Sequence, residues 1–289
     1  MPFQVALLLT SPLGIMKPEM GQQAVTDKIT FLGTGGARFM VSRQLAASGG
    51  LWLDLGGTCL LVDPGPGCIV QVTKRKLDPE TLSGIIVSHR HLDHAADVNV
   101  MVEAMTAGGF NPHGRIYAPA DAFGPEPVMY SYLKKTIDGI TLLEEGGSYT
   151  MGDVAFETPI RHQHGAETYG MKFRTPRHTF SYVADSRFFD GLYNYGGSDL
   201  LIINVVFTEP QPRFDHLSIP EVETLVRELK PKVALLSHYG IHVWRADPSR
   251  LAGELTQRTG IKVVAARDGM AFDLAQLDDG DGNTEKVYG

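Results

Sequence analysis

The chain has 289 residues, with 26 basic and 33 acidic side chains, a formal charge of -7, ten histidines and two cysteines. With 43% hydrophobic and 20% charged residues it can bury a substantial core, which excludes a wholly disordered chain or a disulfide scaffold. The acidic balance disfavours a protein that coats nucleic acid or anionic membrane through its net field.

Residues 1–26 contain three prolines, Pro2, Pro12 and Pro18, and little periodicity, and read as an N-terminal extension. Their longest largely apolar stretch, Phe3 to Leu9 with Gln4 inside it, is too short for a membrane span and lacks a basic flank for a signal peptide. Cys59 and Cys68 form no paired motif, so the expected compartment is the cytoplasm. Regular structure begins with an apolar strand at 28–32, running into Gly33-Thr-Gly-Gly-Ala37. Strands at 51–55 and 58–62 are joined by Gly56-Gly57, a pair that supplies the positive φ of a tight hairpin. A short buried strand comes next at 84–88, then helical spacing over 95–106. Further strands are predicted at 115–118, 154–160, 169–174, 179–184 and 200–206. Ser218 is placed to cap a helix over 220–229, succeeded by a strand at 233–236 and a helix at 249–258. Strands at 262–265 and 270–274 complete one domain, 27–277, and 278–289 form an acidic, Gly-rich tail. Hairpins leading into strand–helix alternation occur in both halves, which implies two packed sheets with helices outside.

The chemistry concentrates at Ser88-His-Arg-His-Leu-Asp-His94, directly after a buried strand. His89, His91, Asp93 and His94 are nitrogen and oxygen ligands suited to Zn2+ or a similar ion, which takes three or four such atoms at ~2.0–2.2 Å. Asp185 and His238 stand at the ends of later apolar strands, where a sheet can hold a side chain rigidly. His162 and His164 are alternatives for one more ligand, two residues apart on the same strand face.

The run His89-x-His91-x-Asp93-His94 resembles the signature of the metallo-β-lactamase-fold hydrolases, and the later motifs keep the family's order from about Lys28 to Leu274. The resemblance implies an α/β fold, an αβ/βα four-layer sandwich, with two divalent metal ions between its sheets. His89, His91 and His164 would hold one ion, and Asp93, His94 and His238 the other, with Asp185 bridging. The register of Tyr169-Gly170 selects His164 over His162. His91 stands where flavodiiron-type members carry a glutamate, which favours hydrolysis over redox chemistry, and no cysteine occupies a ligand position. Zn2+ is the expected ion, with Mn2+ or Fe2+ as alternatives. Asp63, ending Leu60-Leu-Val-Asp63, is the candidate for orienting a ligand histidine from behind.

His216, in Phe214-Asp-His-Leu-Ser218, resembles the additional histidine of the family's phosphodiesterase branch, which includes transfer-RNA 3′-processing ribonuclease Z and the cyclic phosphodiesterase of the carbon–phosphorus lyase pathway. The Gly33–Ala37 turn resembles the same branch, although tight-turn geometry is the expected reason for its glycines. The resemblance thus implies a phosphodiesterase on a small or cyclic phosphodiester, with a metal-bridging hydroxide as nucleophile. His216 and Asp93 are the catalytic candidates, His216 assisting the leaving group with Asp215 or Glu209 available to orient it. Only 21 residues separate His164 from Asp185, leaving no room for the RNA-clamping arm of ribonuclease Z, and the cysteine-rich zinc site of the cyclic phosphodiesterase is absent. The expected partner is therefore a small anionic substrate rather than large nucleic acid or membrane, with homo-oligomer formation left open. Lactone or thioester hydrolysis and armless RNA processing are the enzymatic alternatives, and a metal-holding module the non-enzymatic one. Arg38, Arg43, Arg213 and Arg245 are candidate phosphate contacts, and His242 and Trp244 candidate pocket residues.

Overall fold

Alternation along the apolar strands builds two faces at once, and both are used. In a computed structural model, which describes residues 27–278, Leu60 and Val62 point into a core between two sheets while Leu61 between them packs outward. The expected extension 1–26 and the tail from 279 lie outside the described residues.

The first sheet contains β1 (Lys28–Phe31), β2 (Leu51–Leu55), β3 (Thr58–Val62), β4 (Leu82–Ile86), β5 (Arg115–Pro119) and β6 (Gly139–Leu143). The second contains β7 (Gly147–Met151), β8 (Val154–Thr158), β9 (Met171–Arg174), β10 (Thr179–Val183), β11 (Leu200–Asn204), β12 (Val233–Ser237) and β13 (Lys262–Ala265). The last strand, β14 (Ala271–Asp273), returns to pair with β1. The strand orders are β14-β1-β2-β3-β4-β5-β6 and β13-β12-β11-β10-β9-β8-β7. Each sheet is antiparallel over one half and parallel over the other, β3 to β6 in the first and β10 to β13 in the second.

Parallel pairs require crossovers, and these supply the outer layers. On the first sheet, α2 (Cys68–Lys74), α3 (Leu92–Ala95) and α4 (Val98–Met105) bring Val72, Ala95, Val98 and Met101 into one cluster with Leu61, Ile85 and Ile116. On the second, α5 (Ile219–Leu229) and α7 (Pro248–Thr259) set Val222, Leu225 and Leu255 against Leu201, Ile203 and Leu236. The short helices α1 (Ala37–Arg43) and α6 (Ile241–Arg245) come after β1 and β12. This is the four-layer αβ/βα sandwich expected of the metallo-β-lactamase fold.

The Gly56-Gly57 hairpin forms with φ of 60° and 88°, and Glu221 reaches back to the Ser218 N–H at 2.8 Å at the start of α5. The single helix expected over 95–106 is instead α3 and α4, divided at Asp97. Its N–H donates to Pro64 O at 2.9 Å and its carboxylate accepts from Ile69 N–H at 3.1 Å, so tertiary partners replace helical ones. Among the described residues no helix is long and apolar enough to cross a membrane.

Candidate metal centre

Every candidate ligand but His164 emerges just beyond the C-terminal end of a strand, on the rim where the two sheets meet. His89, His91, Asp93 and His94 come after β4, Asp185 after β10 and His238 after β12. His164 comes from the β8–β9 connection and His216 from the segment between β11 and α5. Gly36 N–H donates to Tyr239 O at 3.1 Å and Tyr239 N–H to Thr34 O at 2.7 Å, joining the loop after β1 to the loop after β12 beneath the site.

Two groups of donors result. His89, His91 and His164 form one, and Asp93, His94, Asp185 and His238 the other, the ligand atoms of each lying within 4.8 Å of one another. Asp185 Oδ2 faces both groups, 3.3 Å from His94 Nε2 and 3.9 Å from His89 Nε2. His238 Nε2 lies 3.3 Å from Asp93 Oδ2, and its Nδ1 3.3 Å from Asp185 Oδ1. His162 does not join either group. It is buried behind Asp185, with Nδ1 3.2 Å from that residue's carbonyl and Nε2 2.8 Å from the Tyr195 hydroxyl.

Hydrogen bonds behind the rings select which nitrogen faces inward. Asp63 Oδ2 lies 2.9 Å from His94 Nδ1, so the proton sits there and Nε2 carries the lone pair. Ser88 donates its hydroxyl to Asp63 Oδ2 at 2.7 Å, which leaves the hydroxyl oxygen to accept from His89 Nδ1 at 3.0 Å. Asp215 O accepts from His164 Nδ1 at 3.0 Å. Asp63 also accepts from Ser88 N–H at 2.6 Å and from the Tyr182 hydroxyl at 2.8 Å. The position expected to orient a histidine thus collects four donors, among them His94.

These groups fit a divalent cation. His89 Nε2 and His238 Nδ1 are buried without a hydrogen-bond partner, an arrangement that is costly unless a ligand satisfies them. His94 Nε2 also approaches His238 Nε2 to 2.9 Å, and His164 Nε2 approaches His91 Nδ1 to 3.0 Å. For the side chains by themselves, burial pushes His89 well below the ordinary imidazole range, reinforced by His94. Burial also opposes charge on Asp185, but His238, His216 and His94 outweigh it and hold this carboxyl well below the usual range.

His216 Nδ1 stands 3.5 Å from Asp185 Oδ2, and its ring lies 5.1 Å from that of His164. Neither acidic neighbour in the sequence orients it. The Asp215 carboxylate pairs with Arg187 and Glu209 is exposed. Arg38, Arg43, Arg213 and Arg245 are likewise exposed, with Arg43 over the Phe39 ring at 5.8 Å.

Two buried contributors, Asn204 and Tyr182, lie outside every motif. Asn204 Nδ2 donates to Asp185 Oδ1 at 2.9 Å and to the Tyr182 hydroxyl at 3.1 Å, and Tyr182 in turn donates to Asp63. Their one signal in the chain is a lone amide inside the apolar run Leu200-Leu-Ile-Ile-Asn-Val-Val206.

The fold and the two donor groups define a metal-dependent hydrolase of the metallo-β-lactamase fold. The model of the beta-lactamase superfamily domain matches residues 58–239, more than half of the chain, and the chain belongs to that family. An uncharacterised protein of Methanocaldococcus jannaschii, MJ1374, is 29% identical over 256 residues, covering 86% of this chain and 95% of its own. YhfI of Bacillus subtilis, named a probable metallo-hydrolase, is 26% identical over 227 residues, 74% of this chain and 89% of the relative. A ribonuclease Z of Methanosarcina acetivorans is 34% identical over 93 residues, 32% of this chain and 30% of the relative. The crystal structure of YhfI superposes with a TM-score of 0.73 at 23% identity, covering 86% of this chain and 99% of that one. A diphosphatase from the PhnP family superposes at 0.64 and 17% identity, covering 86% and 96%.

Proposed function

We propose that the protein is a dinuclear metal phosphodiesterase acting on a small or cyclic phosphodiester. The observation that carries this reading is His216, whose buried Nδ1 lacks a hydrogen-bond partner while its ring stands against the carboxylate that faces both donor groups. A nitrogen so placed suits an N–H directed at a phosphoryl or leaving oxygen. Similarity to proteins named ribonuclease Z and diphosphatase supports chemistry at phosphorus.

In this reading His89, His91 and His164 hold one ion, and Asp93, His94 and His238 the other, with Asp185 between them. Zn2+ suits this set, and Mn2+ or Fe2+ are the alternatives. When bound, the ions supply Lewis acidity and lower the pKa of water. The protein's own part is orientation. Ser88, Asp63 and the Asp215 carbonyl hold imidazole protons outward, and Ala37 N–H fixes Asp93 Oδ2 at 3.1 Å. One hydrolase domain over 27–277 houses the site. Both cysteines are free and buried, in keeping with the proposed cytoplasmic location. The charge of -7 and the short His164–Asp185 connection favour a small anionic substrate over a large RNA.

Metal analysis coupled to a substrate panel tests the reading. Close to two ions per chain and turnover of bis-p-nitrophenyl phosphate are expected, with His216→Ala lowering kcat by roughly 10²–10⁴ at unchanged metal content. Hydrolysis confined to lactones or thioesters would overturn it in favour of carboxyl-ester chemistry. Cleavage of a transfer-RNA precursor alone would indicate armless RNA processing. Metal-loaded protein silent across the panel would indicate a metal-holding module.

A further inference from the structure

His216 is adjoined by a row of aromatic rings. The Phe207 ring lies 6.2 Å from that of His216, 5.6 Å from Phe214 and 6.3 Å from His242. Phe207 is tilted by 37° to Phe214 and 38° to His242. The main chain holds the row to the segment carrying His216, because Phe207 N–H donates to Leu217 O at 3.2 Å and Ile219 N–H to Phe207 O at 2.9 Å.

A single exposed phenylalanine on a protein surface is ordinary. Here four rings from two separate segments are contiguous and begin at a residue already placed against Asp185. Phe214 is 55% exposed, His242 is exposed, and no hydrogen bond engages the His242 ring among the described residues. In the same segment Asp215 is held by Arg187, and the exposed Glu209 and Arg213 carry opposite charges, so the rings themselves present π surface with no net charge beside them. Flat rings of this kind favour a planar partner by offset stacking, whatever its hydrogen-bonding pattern.

We infer that Phe207, Phe214 and His242 form a subsite for a planar, uncharged ring carried beyond the leaving oxygen of the substrate. The substrate class is then a phosphodiester whose departing alcohol bears an aryl or nucleobase-type group. The inference rests on the phosphodiesterase reading, because it takes His216 as the group beside the leaving oxygen.

Binding to the metal-loaded full chain tests it, read by calorimetry and by inhibition of bis-p-nitrophenyl phosphate turnover. Phenylphosphonate is expected to bind at least about tenfold tighter than methylphosphonate. Phe214→Ala should bring that ratio to within about twofold of unity, and Phe214→Leu, apolar but not planar, should restore only part of it. Equal affinities in the unaltered protein, or a ratio unmoved by Phe214→Ala, overturn the subsite while leaving phosphodiester turnover intact. Absence of both phosphonate binding and phosphodiester turnover overturns the underlying reading as well. Adenosine 5′-monophosphate separates the two sources of the ring. A preference over methylphosphonate shared with phenylphosphonate supports a nucleoside substituent, and its loss beside a retained phenyl preference supports a simple aryl one.

Discussion

A β-carbon placed on Gly36 would stand 2.1 Å from Nδ1 of His238, so the bare α-carbon of the glycine is the surface on which that imidazole rests. Gly36 has φ of -134°, a conformation open to any residue, and space rather than backbone freedom demands glycine there. Its neighbour Gly33 is similarly constrained, since a β-carbon there would meet Ala47 O at 2.3 Å. Tight-turn geometry is therefore not what these glycines serve. They let the loop after β1 approach the loop that carries His238.

Gly36→Ala should consequently displace His238. The expected result is a 10–100-fold loss of metal affinity, measured by competition with a chelating dye. Gly253→Ala in α7, an exposed position where an added carbon meets nothing within 4 Å, is the control and should leave affinity unchanged.

Asn204 donates to Asp185 Oδ1, the oxygen that also faces His238, and leaves Oδ2 to face His89, His94 and His216. Asn204→Leu keeps the branched heavy-atom skeleton but removes both donated hydrogen bonds, freeing the carboxylate to rotate and leaving the buried Oδ1 without its amide donor. Metal affinity is expected to fall by about tenfold or more in the same competition assay. Unchanged affinity would show that the packing of β10 and β11 suffices to orient Asp185.

Removal of metal should destabilise the fold, because His89 Nε2 and His238 Nδ1 lose the partner that burial requires. An ion at 100 times its dissociation constant contributes about 2.7 kcal/mol, and each kcal/mol moves the Tm of a domain this size by about 2–4 °C. A chelator is thus expected to lower Tm by roughly 5–10 °C, reversed by excess Zn2+. Scanning calorimetry with and without chelator reads the shift.

At the opposite ends of the strands, Asp199 ties β10, β11 and β12 together. It accepts from Thr179 N–H at 3.2 Å and from Thr179 Oγ1 at 3.1 Å, and pairs with Lys232 at 3.1 Å. Burial raises its pKa, but the Thr179 and Lys232 contacts prevail and hold the carboxyl below its usual range. A depressed folded pKa means that the stabilisation is present above the unfolded value of about 3.9 and disappears as pH falls through the folded one. Asp199→Ala should therefore cost about 1 kcal/mol at neutral pH, a value kept small by the exposure of Lys232. The difference from the unaltered protein should vanish in strong acid, as followed by urea unfolding across pH.

Much of the centre is legible in the chain because its signals are local. The apolar run ending at Ile86 marks a strand, and His89, His91, Asp93 and His94 come within eight residues of it. Asp185 and His238 declare themselves the same way, each two residues or fewer beyond an apolar strand. Expected strands are trimmed at several ends, 169–174 to Met171–Arg174 and 200–206 to Leu200–Asn204, since Tyr169 makes only an isolated bridge to Arg161 and Val206 N–H turns to Leu217 O. The segments that form α1, α2, β6 and β7 carry too weak a pattern to be assigned from the chain. β6 and β7 are edge strands with half-exposed faces, which blurs their hydrophobic alternation.

By itself, then, the sequence determined which residues are chemically able to hold metal and which strands lift them to one rim, since side-chain chemistry and apolar periodicity are properties of neighbouring residues. Only the tertiary structure decided how those residues are held. Asp63 meets Tyr182, Asn204 meets Asp185, Gly36 meets His238 and Arg187 removes Asp215 from His216. These contacts link positions as far apart as 36 and 238, and in-line spacing carries no record of them. They exist because two sheets pack face to face and bring the ends of their strands together, which converts a cluster of histidines into oriented lone pairs.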